Sequence, residues 1–453
     1  MALDAKAFKA YDVRGIYPSE LDEAGAYAIG RAYVEQFEPK AIVVGRDMRV
    51  SSESMARAVI QGAADGGAEV KDVGMIGTEM LYFGVGELDL DGGVMVTASH
   101  NPKDYTGMKI VRRGALPVGG DSGLLEIRDR AQKIESPELV ADAVTESVDI
   151  YPAFVERVLS FIDPGAVKPL RVVIDAGNGM AGAMLPPILE RLPVDAVRCF
   201  FDPDGTFPNH EPNPLLPQNR EFVIGKVLEE KADLGIAFDG DADRCFFVDD
   251  TGEFVPGDFV TALLAESMLE KEPGAKIIYD VRASWAVPDT VERHGGTPLV
   301  NRVGHAFIKE RMRKEGALFG GEVSGHYYFR DFNQADSGTI PALLMLELVS
   351  KRGEPLSKIL RPFHERYFLT GELNTPVPDV ALKLQELKEH FAGEGEVSHL
   401  DGISVTAKDW HMNVRPSNTE PLLRLNLEAL ARDLMEQKRD EALAVIRGEG
   451  PVS

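Results

Sequence analysis

The sequence has few of the residues that mark a disulfide-stabilised, membrane-spanning or secreted protein. Cysteine occurs twice in 453 residues, at Cys199 and Cys245, and that spacing matches no disulfide framework and no metal-binding motif. No run of 18 apolar residues is present, so we expect no membrane span. The N-terminal residues lack the apolar core of a signal peptide. These absences predict a cytoplasmic protein with core thiols in a reducing compartment.

Positive charge is also scarce. The chain has 49 Lys and Arg residues against 73 Asp and Glu residues, which gives a formal net charge of −24. Such a balance disfavours nucleic acids and anionic membrane surfaces as partners. An anionic small ligand would need a local group of cations, so arginines near polar loops matter more than the total charge. Apolar residues make up 44% of the chain, which suffices for several domain cores.

A long-period pattern organises the first three quarters of the chain. Short runs rich in β-branched residues end in polar turns, and each is followed, after helical sequence, by a second apolar run and a polar loop. The runs cover residues 41–47, 171–177 and 276–282, and the loops cover residues 97–102, 239–244 and 320–326. Such runs predict buried parallel strands. We therefore expect three α/β domains of related topology, each with a ligand-binding loop at the carboxyl end of a strand.

The last quarter of the chain has a different texture. Strand-like segments at residues 402–405 and 422–425 flank a polar loop at 415–421, and a closing helix is predicted from about residue 430 to residue 447. These features predict a smaller α+β domain. The predicted domains cover residues 1–146, 147–249, 250–363 and 364–453. In the third domain, Asp258 is predicted to cap the helix that follows it.

The first candidate site is the loop at residues 97–102, which reads Thr-Ala-Ser-His-Asn-Pro and follows an apolar run. The hydroxyl of Ser99 is a weak nucleophile by itself. Because Ser, Asn and Pro are ordinary turn residues, a plain turn is an open alternative. A metal ion beside a serine oxygen or a phosphoserine makes phosphoryl transfer feasible, since that reaction depends on positioning and charge neutralisation.

The second candidate site is an acidic loop in which Asp239, Asp241 and Asp243 alternate before Arg244. An EF-hand loop begins with the same spacing, but it needs Gly where this chain has Arg244 and Glu where it has Asp250. A solvated acidic turn is the other alternative, although three carboxylates at the end of a buried strand would repel one another without a cation. The spacing therefore predicts a Mg²⁺ site. Arg244 would orient a carboxylate, contact a phosphate or form a structural ion pair.

Two further loops carry groups suited to a phosphorylated sugar. The loop at residues 415–421 combines a guanidinium, hydroxyls and an amide, which suit a phosphate, with a surface turn as the alternative. The glycine-rich loop contains Glu322, Ser324 and His326, which are able to hydrogen-bond vicinal hydroxyls, with a tight turn as the alternative. Other candidates, each with a structural alternative, are Tyr11, Arg14, Lys109, His305 and Lys309.

The serine, acidic, sugar and phosphate loops, in that order, resemble the α-D-phosphohexomutase superfamily over the whole chain. The resemblance implies three related α/β domains with mixed sheets plus a smaller α+β C-terminal domain around a central cleft. It implies that Ser99 is a phosphoserine in the active enzyme. It also implies one Mg²⁺ per active site, held by the phosphoserine, Asp239, Asp241 and Asp243.

The resemblance further implies a reaction: a hexose 1-phosphate and its 6-phosphate interconvert through Ser99 and a hexose 1,6-bisphosphate, which also serves as the activator. The implied catalytic residues are Ser99, His100, Lys109 and Arg244. The implied substrate-binding residues are Tyr11, Arg14, Arg282, His305, Glu322, Ser324, His326, Arg415, Ser417, Asn418 and Thr419. We expect hexose phosphates as partners, neither nucleic acid nor membrane, and a monomer or weak homodimer. A hinge near residues 363–370 is expected from the need to turn the intermediate over.

The sugar loop separates the branches of the superfamily. Residues 321–326 read Gly-Glu-Val-Ser-Gly-His and are similar to the Gly-Glu-Met-Ser-Gly-His loop of the phosphomannomutase/phosphoglucomutase branch, with an apolar change at Val323. Phosphoglucosamine mutases usually have Gln at that position and Gly at the position of Asn418. We therefore expect mannose phosphates as substrates, with glucose phosphates second.

Three alternatives remain at this stage: a phosphoglucosamine mutase, a Mg²⁺-dependent sugar phosphatase, and a sugar-phosphate-binding protein without activity. A phosphatase would release inorganic phosphate, whereas a mutase retains a phosphoserine. A binding protein has no use for Ser99.

Overall fold

The computed structural model describes residues 3–138, 145–417 and 421–449. The chain forms two compact units. Unit 1 comprises Met1–Val255 and Ser324–Leu356, and unit 2 comprises Pro256–Val323 and Ser357–Ser453. Each unit is therefore built from two separate stretches of sequence.

Unit 1 begins with a mixed sheet covered by helices. Its strands are β1 (Val13–Ile16), β2 (Ala41–Arg46), β3 (Glu69–Met75), β4 (Gly92–Val96), β5 (Tyr105–Arg112), β6 (Leu116–Pro117) and β7 (Glu146–Ser147), and its helices are α1 (Glu23–Phe37), α2 (Ser52–Asp65), α3 (Thr78–Glu87) and α4 (Leu124–Ala131). The strand order is β1-β5-β4-β2-β3-β7, with β6 beside β5. The central strand β2 runs parallel to β3 and β4. Its Ile42, Val43 and Val44 are fully buried, as expected for a strand covered on both faces.

A second mixed sheet follows in unit 1. It contains β8 (Arg171–Asp175), β9 (Asp195–Cys199), β10 (Leu234–Phe238) and β11 (Cys245–Asp249), and the helices around it are α5 (Tyr151–Leu159), α6 (Ala181–Met184), α7 (Pro186–Leu189) and α8 (Pro217–Glu230). β8 is parallel to β9 and β10, whereas β10 and β11 form an antiparallel pair. The acidic loop is the turn between β10 and β11.

The chain then builds the first half of unit 2. The elements are α9 (Gly257–Lys271), β12 (Lys276–Asp280), α10 (Ala286–Arg293), β13 (Thr297–Asn301), α11 (His305–Glu315) and β14 (Phe319–Gly321). β12 runs parallel to both β13 and β14. The next elements belong to unit 1: β15 (Tyr327–Phe329) and β16 (Ala335–Asp336), which pair antiparallel, and α12 (Thr339–Arg352).

The second half of unit 2 is an antiparallel sheet with helices packed on it. It comprises α13 (Leu356–Arg366), β17 (Phe368–Leu369), β18 (Leu373–Pro376), α14 (Val380–His390), β19 (Glu396–Ser398), β20 (Ile403–Thr406), β21 (Trp410–Pro416), β22 (Leu422–Ala429) and α15 (Arg432–Arg447). The strand order is β17-β22-β21-β20-β19, with β18 also beside β22. Its core includes Phe391, Trp410 and Ile446.

Most structural predictions are confirmed. The three β-branched runs form β2, β8 and β12, each parallel to its neighbours, and the α/β class followed by an α+β C-terminal part is observed. Cys199 and Cys245 are buried free thiols. In the described ranges, no helix is long and apolar enough to cross a membrane.

The predicted cap at Asp258 is wrong. Helix α9 begins one residue earlier, at Gly257, and Pro256 occupies the N-cap position. The carboxylate of Asp258 instead accepts N–H hydrogen bonds from Phe259 and Ser284. Because the fold brings Ser284 to this carboxylate, a tertiary contact replaces the local cap.

Candidate active site

Ser99 lies in the loop that joins β4 to β5 and is almost fully buried, with 1% of its surface exposed. Its backbone is left-handed, with φ of 49°, which is unusual for a residue other than glycine. Its N–H donates to Oγ1 of Thr97 at 2.9 Å, and the N–H of Asn101 donates to the carbonyl of Ala98 at 3.0 Å. Such strain persists only where surrounding contacts impose it, and it is common at functional sites.

Arg49, a residue that is not predicted from the sequence, holds this loop conformation. Its buried guanidinium donates to three carbonyl oxygens of the serine loop, those of Ser99 at 2.8 Å, Asn101 at 2.6 Å and Pro102 at 2.8 Å, and to that of Tyr105, the first residue of β5, at 3.1 Å. The sequence offered one signal, because Arg49 follows the carboxyl end of the predicted parallel strand 41–47.

The same guanidinium also contacts residues outside the serine loop. Its Nε lies 3.3 Å from Oδ2 of Asp47, and Asp47 also accepts a hydrogen bond from the hydroxyl of Ser52. The ring of Phe207 lies 5.1 Å from the guanidinium carbon. Contacts outside the serine loop therefore also hold Arg49 in place.

The acidic loop packs directly against the serine loop. A Cβ on Gly240 would lie 2.5 Å from the carbonyl oxygen of Ser99, so only glycine fits there. The hydroxyl of Ser99 donates to Oδ2 of Asp239 at 2.9 Å. Asp239, Asp241 and Asp243 are buried, and one oxygen of each lies within 4.8 Å of the others. The structure thus brings the serine together with the three carboxylates.

Lys109 is the nearest cation to this cluster. Its Nζ donates to Oδ2 of Asp241 at 2.8 Å and also to Asp243. Burial opposes its charge, but Asp241 and Asp243 outweigh burial and raise the pKa of Lys109 well above its ordinary value. Burial and the charge of Asp243 oppose ionisation of Asp241, yet Lys109 and Thr78 lower the pKa of Asp241. Lys109 is therefore a fixed ammonium.

The cluster can hold a divalent cation. Burial and then the charges of Asp243 and Asp241 raise the pKa of Asp239 well above its ordinary value. Oδ1 of Asp241 is buried and has no hydrogen-bond partner among the described residues. Carboxylate oxygens are the ligands that Mg²⁺ prefers in proteins.

His100 is held as a neutral imidazole. Arg244 Nη2 lies 2.8 Å from His100 Nδ1, and because a guanidinium only donates, this nitrogen accepts and the proton sits on Nε2. Burial and then the charges of Arg244 and Arg14 lower the pKa of His100 well below its ordinary value. The same Nδ1 is 3.2 Å from the hydroxyl oxygen of Ser99.

Arg14 contacts the serine loop on another side. It donates to the carbonyl of Ala98 at 2.9 Å and to the side chain of Asn101, and its Nε donates to Asp12 at 3.0 Å. Tyr11 lies half-buried beside Asp12 in the preceding segment. These hydrogen bonds show that Arg14 supports the serine loop. It is also a candidate for binding a substrate.

The sugar loop contributes His326 to the acidic cluster. His326 Nε2 lies 3.9 Å from Oδ1 of Asp243, and its Nδ1 lies 3.2 Å from the hydroxyl of Ser324. Backbone pairing between Arg244 and His326 joins the two loops. Two predicted sites far apart in sequence are therefore adjacent within unit 1.

Unit 2 holds the remaining candidates. Arg282 forms a two-bond pair with Asp280, with Nε–Oδ1 and Nη2–Oδ2 distances of 2.9 Å, and Asp280 raises the pKa of Arg282 against the effect of burial. Glu322 is buried and accepts the N–H of Gly304 at 2.9 Å, beside His305 at the start of α11. The sequence alternative of a helix start at His305 is thus observed.

Arg415 and Arg424 lie opposite each other on β21 and β22. Both face Glu372, which also lies within ion-pair distance of Arg282. Neither Arg424 nor Glu372 is predicted from the sequence, because neither belongs to a recognisable loop motif. The predicted residues Asn418 and Thr419 lie outside the described residues.

Four family descriptions match the chain in succession. They are the phosphoglucomutase/phosphomannomutase alpha/beta/alpha domains I, II and III, at residues 5–138, 152–252 and 256–367, and the C-terminal domain of the same family at residues 372–445. Together they cover most of the chain.

Curated relatives are similar over nearly the full length. A phosphomannomutase of Salmonella montevideo is 46% identical over 449 residues, covering 97% of this chain and 98% of that protein. A phosphomannomutase of Escherichia coli K12 is 44% identical over 450 residues, covering 98% and 99%. The phosphohexose mutases of Xanthomonas campestris are 44% identical over 444 residues, covering 98% and 99%.

Solved structures agree with these matches. A phosphoglucomutase/phosphomannomutase family protein of Burkholderia thailandensis superposes with a TM-score of 0.89 at 33% identity, covering 99% of both chains. The pp63/parafusin phosphoglucomutase of Paramecium superposes with a TM-score of 0.84 at 16% identity, covering 100% of this chain and 98% of that one, which is a likeness of fold alone.

Proposed function

This chain belongs to the phosphoglucomutase/phosphomannomutase family, and we propose that it interconverts mannose 1-phosphate and mannose 6-phosphate, with glucose phosphates as a second substrate pair. The chain is a phosphohexomutase, an enzyme of the isomerase class. The observation that carries the proposal is the hydroxyl of Ser99, which lies 2.9 Å from Asp239 in a cluster of three buried carboxylates.

In the proposed reaction, Ser99 carries a phosphoryl group in the resting enzyme. The bond from phosphorus to Ser99 Oγ breaks as a bond forms to the free O1 or O6 of the bound hexose monophosphate. That hydroxyl loses its proton, and the Oγ left on Ser99 takes up a proton. The hexose 1,6-bisphosphate then turns over, and its other phosphoryl group returns to Ser99, whose Oγ loses its proton while the oxygen released on the sugar gains one.

One Mg²⁺ per active site, held by Asp239, Asp241, Asp243 and the phosphoserine, would neutralise charge on the transferring group. Lys109 and Arg244 add positive charge beside the carboxylates and act by electrostatic stabilisation. His100 is assigned to proton handling, since it is neutral and within 3.2 Å of Ser99 Oγ.

The remaining candidates are proposed to bind the substrate. Glu322 and Ser324 would contact the sugar 3- and 4-hydroxyls, and Arg415 would hold the phosphate that is not reacting, because guanidinium binds phosphate through paired N–H donors. The other proposed substrate contacts are Tyr11, Arg14, Arg282, His305, His326, Ser417, Asn418 and Thr419.

Several predictions from the sequence stay proposals. They are the division at residues 1–146, 147–249, 250–363 and 364–453, the hinge near residues 363–370, activation by a hexose 1,6-bisphosphate, a cytoplasmic location, and a monomer or weak homodimer.

The test compares mannose 1-phosphate, glucose 1-phosphate and glucosamine 1-phosphate with Mg²⁺ and a trace of hexose 1,6-bisphosphate. We expect 6-phosphate formation from mannose and glucose. Dominant turnover of glucosamine 1-phosphate would replace the assignment with phosphoglucosamine mutase, and release of inorganic phosphate without 6-phosphate would replace it with a phosphatase.

A Ser99→Ala variant provides the control. Because it lacks the oxygen that carries the phosphoryl group, we expect turnover at least about 10³-fold below wild type with substrate binding retained. Full activity of Ser99→Ala would refute the phosphoserine mechanism.

A further inference from the structure

Three arginines of unit 2 converge on one carboxylate. Oε1 of Glu372 accepts a hydrogen bond from Arg424 Nη1 at 2.9 Å, while Oε2 lies 3.6 Å from Arg282 Nη1 and 3.6 Å from Arg415 Nη2. Arg282 comes from the loop after β12, Glu372 from the segment before β18, and the other two from β21 and β22. We call the three arginines, Arg282, Arg415 and Arg424, the arginine cluster.

Glu372 offers fewer hydrogen-bond acceptors than the N–H groups of the arginine cluster need. Arg282 also pairs with Asp280, but Nε of Arg415 and Nε of Arg424 are buried with no acceptor in the part of the chain that the structure describes. Each guanidinium has five N–H donors, whereas one carboxylate has two oxygens. A phosphate monoester brings three oxygens and about two negative charges, so it matches the cluster better than Glu372 does.

The two ion pairs at 3.6 Å are also the weak ones. They exceed the length of an N–H···O hydrogen bond, so Oε2 of Glu372 attracts Arg282 and Arg415 through charge alone. The firm contact is with Arg424, whose side chain is 30% exposed and so lies at the outer edge of the cluster. The side chains of Arg415 and Arg282, 9% and 7% exposed, are the inner members. A phosphate that enters the site can therefore bind Arg415 and Arg282 while Glu372 retains its hydrogen bond with Arg424.

We propose that Glu372 is a built-in competitor for the substrate's phosphate, which occupies the arginine cluster in the free enzyme and gives up Arg415 and Arg282 when phosphate binds. The proposal rests on the proposed function, in which Arg415 holds the phosphate that is not reacting. A reaction whose bisphosphate intermediate must leave this site and rebind in the opposite orientation needs reversible binding. Glu372 supplies it, because the carboxylate neutralises the arginines as phosphate departs.

The test removes the charge of Glu372 and keeps its shape. Both proteins compared are full-length and carry Ser99→Ala, so that binding is measured without turnover. One of them also carries Glu372→Gln. Inorganic phosphate and mannose 6-phosphate are titrated calorimetrically. We expect both to bind about 5- to 10-fold more tightly to Glu372→Gln, because the competing anion and its repulsion of phosphate are gone. Thermal melting confirms that the variant is folded.

Glu396→Gln is the matched control. Glu396 is exposed on β19 of the same sheet, and the substitution makes the same change in net charge. We expect it to change each dissociation constant by less than about 2-fold, since a remote exposed charge is screened.

A double variant locates the effect. If Glu372 competes for Arg415, the gain from Glu372→Gln disappears when Arg415→Gln is also present. Unchanged or weaker binding in Glu372→Gln alone would overturn the proposal and leave Glu372 as a residue that merely orients the arginines. Because these are binding measurements, they remain informative if the assay of mutase activity fails.

Discussion

The acidic cluster of unit 1 and the arginine cluster of unit 2 pose the same physical problem with opposite signs. Each gathers like charges and receives an opposite charge from another segment of the chain. Lys109 hydrogen-bonds the acidic cluster, which also has Arg244 beside it, and Glu372 lies among the arginines, of which Arg282 also pairs with Asp280. The contacts differ, because Lys109 Nζ hydrogen-bonds Asp241 at 2.8 Å, whereas Glu372 approaches two of its arginines only to 3.6 Å.

The origin of the charges explains this difference. The three aspartates share one six-residue turn whose backbone is fixed by Ala242 at φ of 60° and by the close approach of Gly240 to the serine loop. The arginines come from separate loops and strands. A cluster built on one turn is rigid, which suits a metal and a reacting phosphoryl group. A cluster assembled from several segments lacks that single shared turn, and the proposed role of Glu372 suits a ligand that must leave.

Removing a charge from the rigid cluster has the largest expected effect. Asp241→Asn keeps the side-chain shape but takes away a ligand and the partner of Lys109, so we expect kcat to fall about 10²- to 10³-fold. We also expect the rise in Tm caused by Mg²⁺ to shrink, because a ligand that binds only the folded state stabilises it.

Asp250→Asn controls for the loss of a nearby acid outside the cluster. Its Mg²⁺-dependent rise in Tm should match that of the wild type. An equal rise in Asp241→Asn would contradict the assignment of the cluster as the metal site.

Arg49→Lys tests how rigidity is achieved. One ammonium lacks the fork that reaches four carbonyl oxygens, so the serine loop should lose its fixed conformation. We expect kcat to fall about 10- to 10²-fold while KM changes less than about 2-fold, since misplacement affects the transition state more than binding.

Arg57→Lys, on the exposed face of α2, is the matched substitution and should leave both constants near wild type. A rise in KM at constant kcat in Arg49→Lys would mean that Arg49 affects substrate binding instead of positioning Ser99.

Arg415→Lys tests the arginine cluster. We expect KM to rise about 10-fold and kcat to change less, because a point charge replaces two-point recognition of a phosphate far from the bond that breaks. Arg432→Lys at the start of α15 controls for the exchange itself. The opposite split, with kcat reduced at constant KM, would place Arg415 at the reacting phosphoryl group.

Glu79 shows a third way to bury a charge, which is to neutralise it with a proton. It hydrogen-bonds Ser337 and Thr339, and burial raises its pKa to about 8. Its folded pKa lies above its unfolded value, so the folded state binds more protons between pH 4.5 and about 8. Stability is therefore greatest below this window and falls as the pH rises through it.

Glu79→Gln mimics the protonated acid. Between pH 5 and pH 8, we expect the free energy of unfolding to fall less in the variant than in the wild type, and the two losses to differ by as much as about 4 kcal/mol. We expect little change in activity at pH 6. Tm measured across this range checks the prediction. Parallel curves for the two proteins would show that Glu79 is already ionised at pH 5.

The local parts of the fold and site were predictable from sequence. The β-branched runs that became β2, β8 and β12 have one low-energy arrangement, which is a buried parallel strand. Asp239, Asp241 and Asp243 were recognisable because their spacing alone brings their carboxylates together. Arg49, Arg424 and Glu372 were missed, because nothing near them in sequence indicates which loop or charge they meet.

The sequence by itself determined the α/β class and the serine and acidic loops, since each follows from spacing or composition within a few residues, and the order of its loops carries the resemblance to the family. Only the tertiary structure decided that Arg49 holds the serine loop, that Asp258 bonds Ser284 instead of capping its helix, and that Glu372 lies among three arginines. The physical reason is that these contacts join segments far apart in the chain, and their energy depends on distances that folding alone sets.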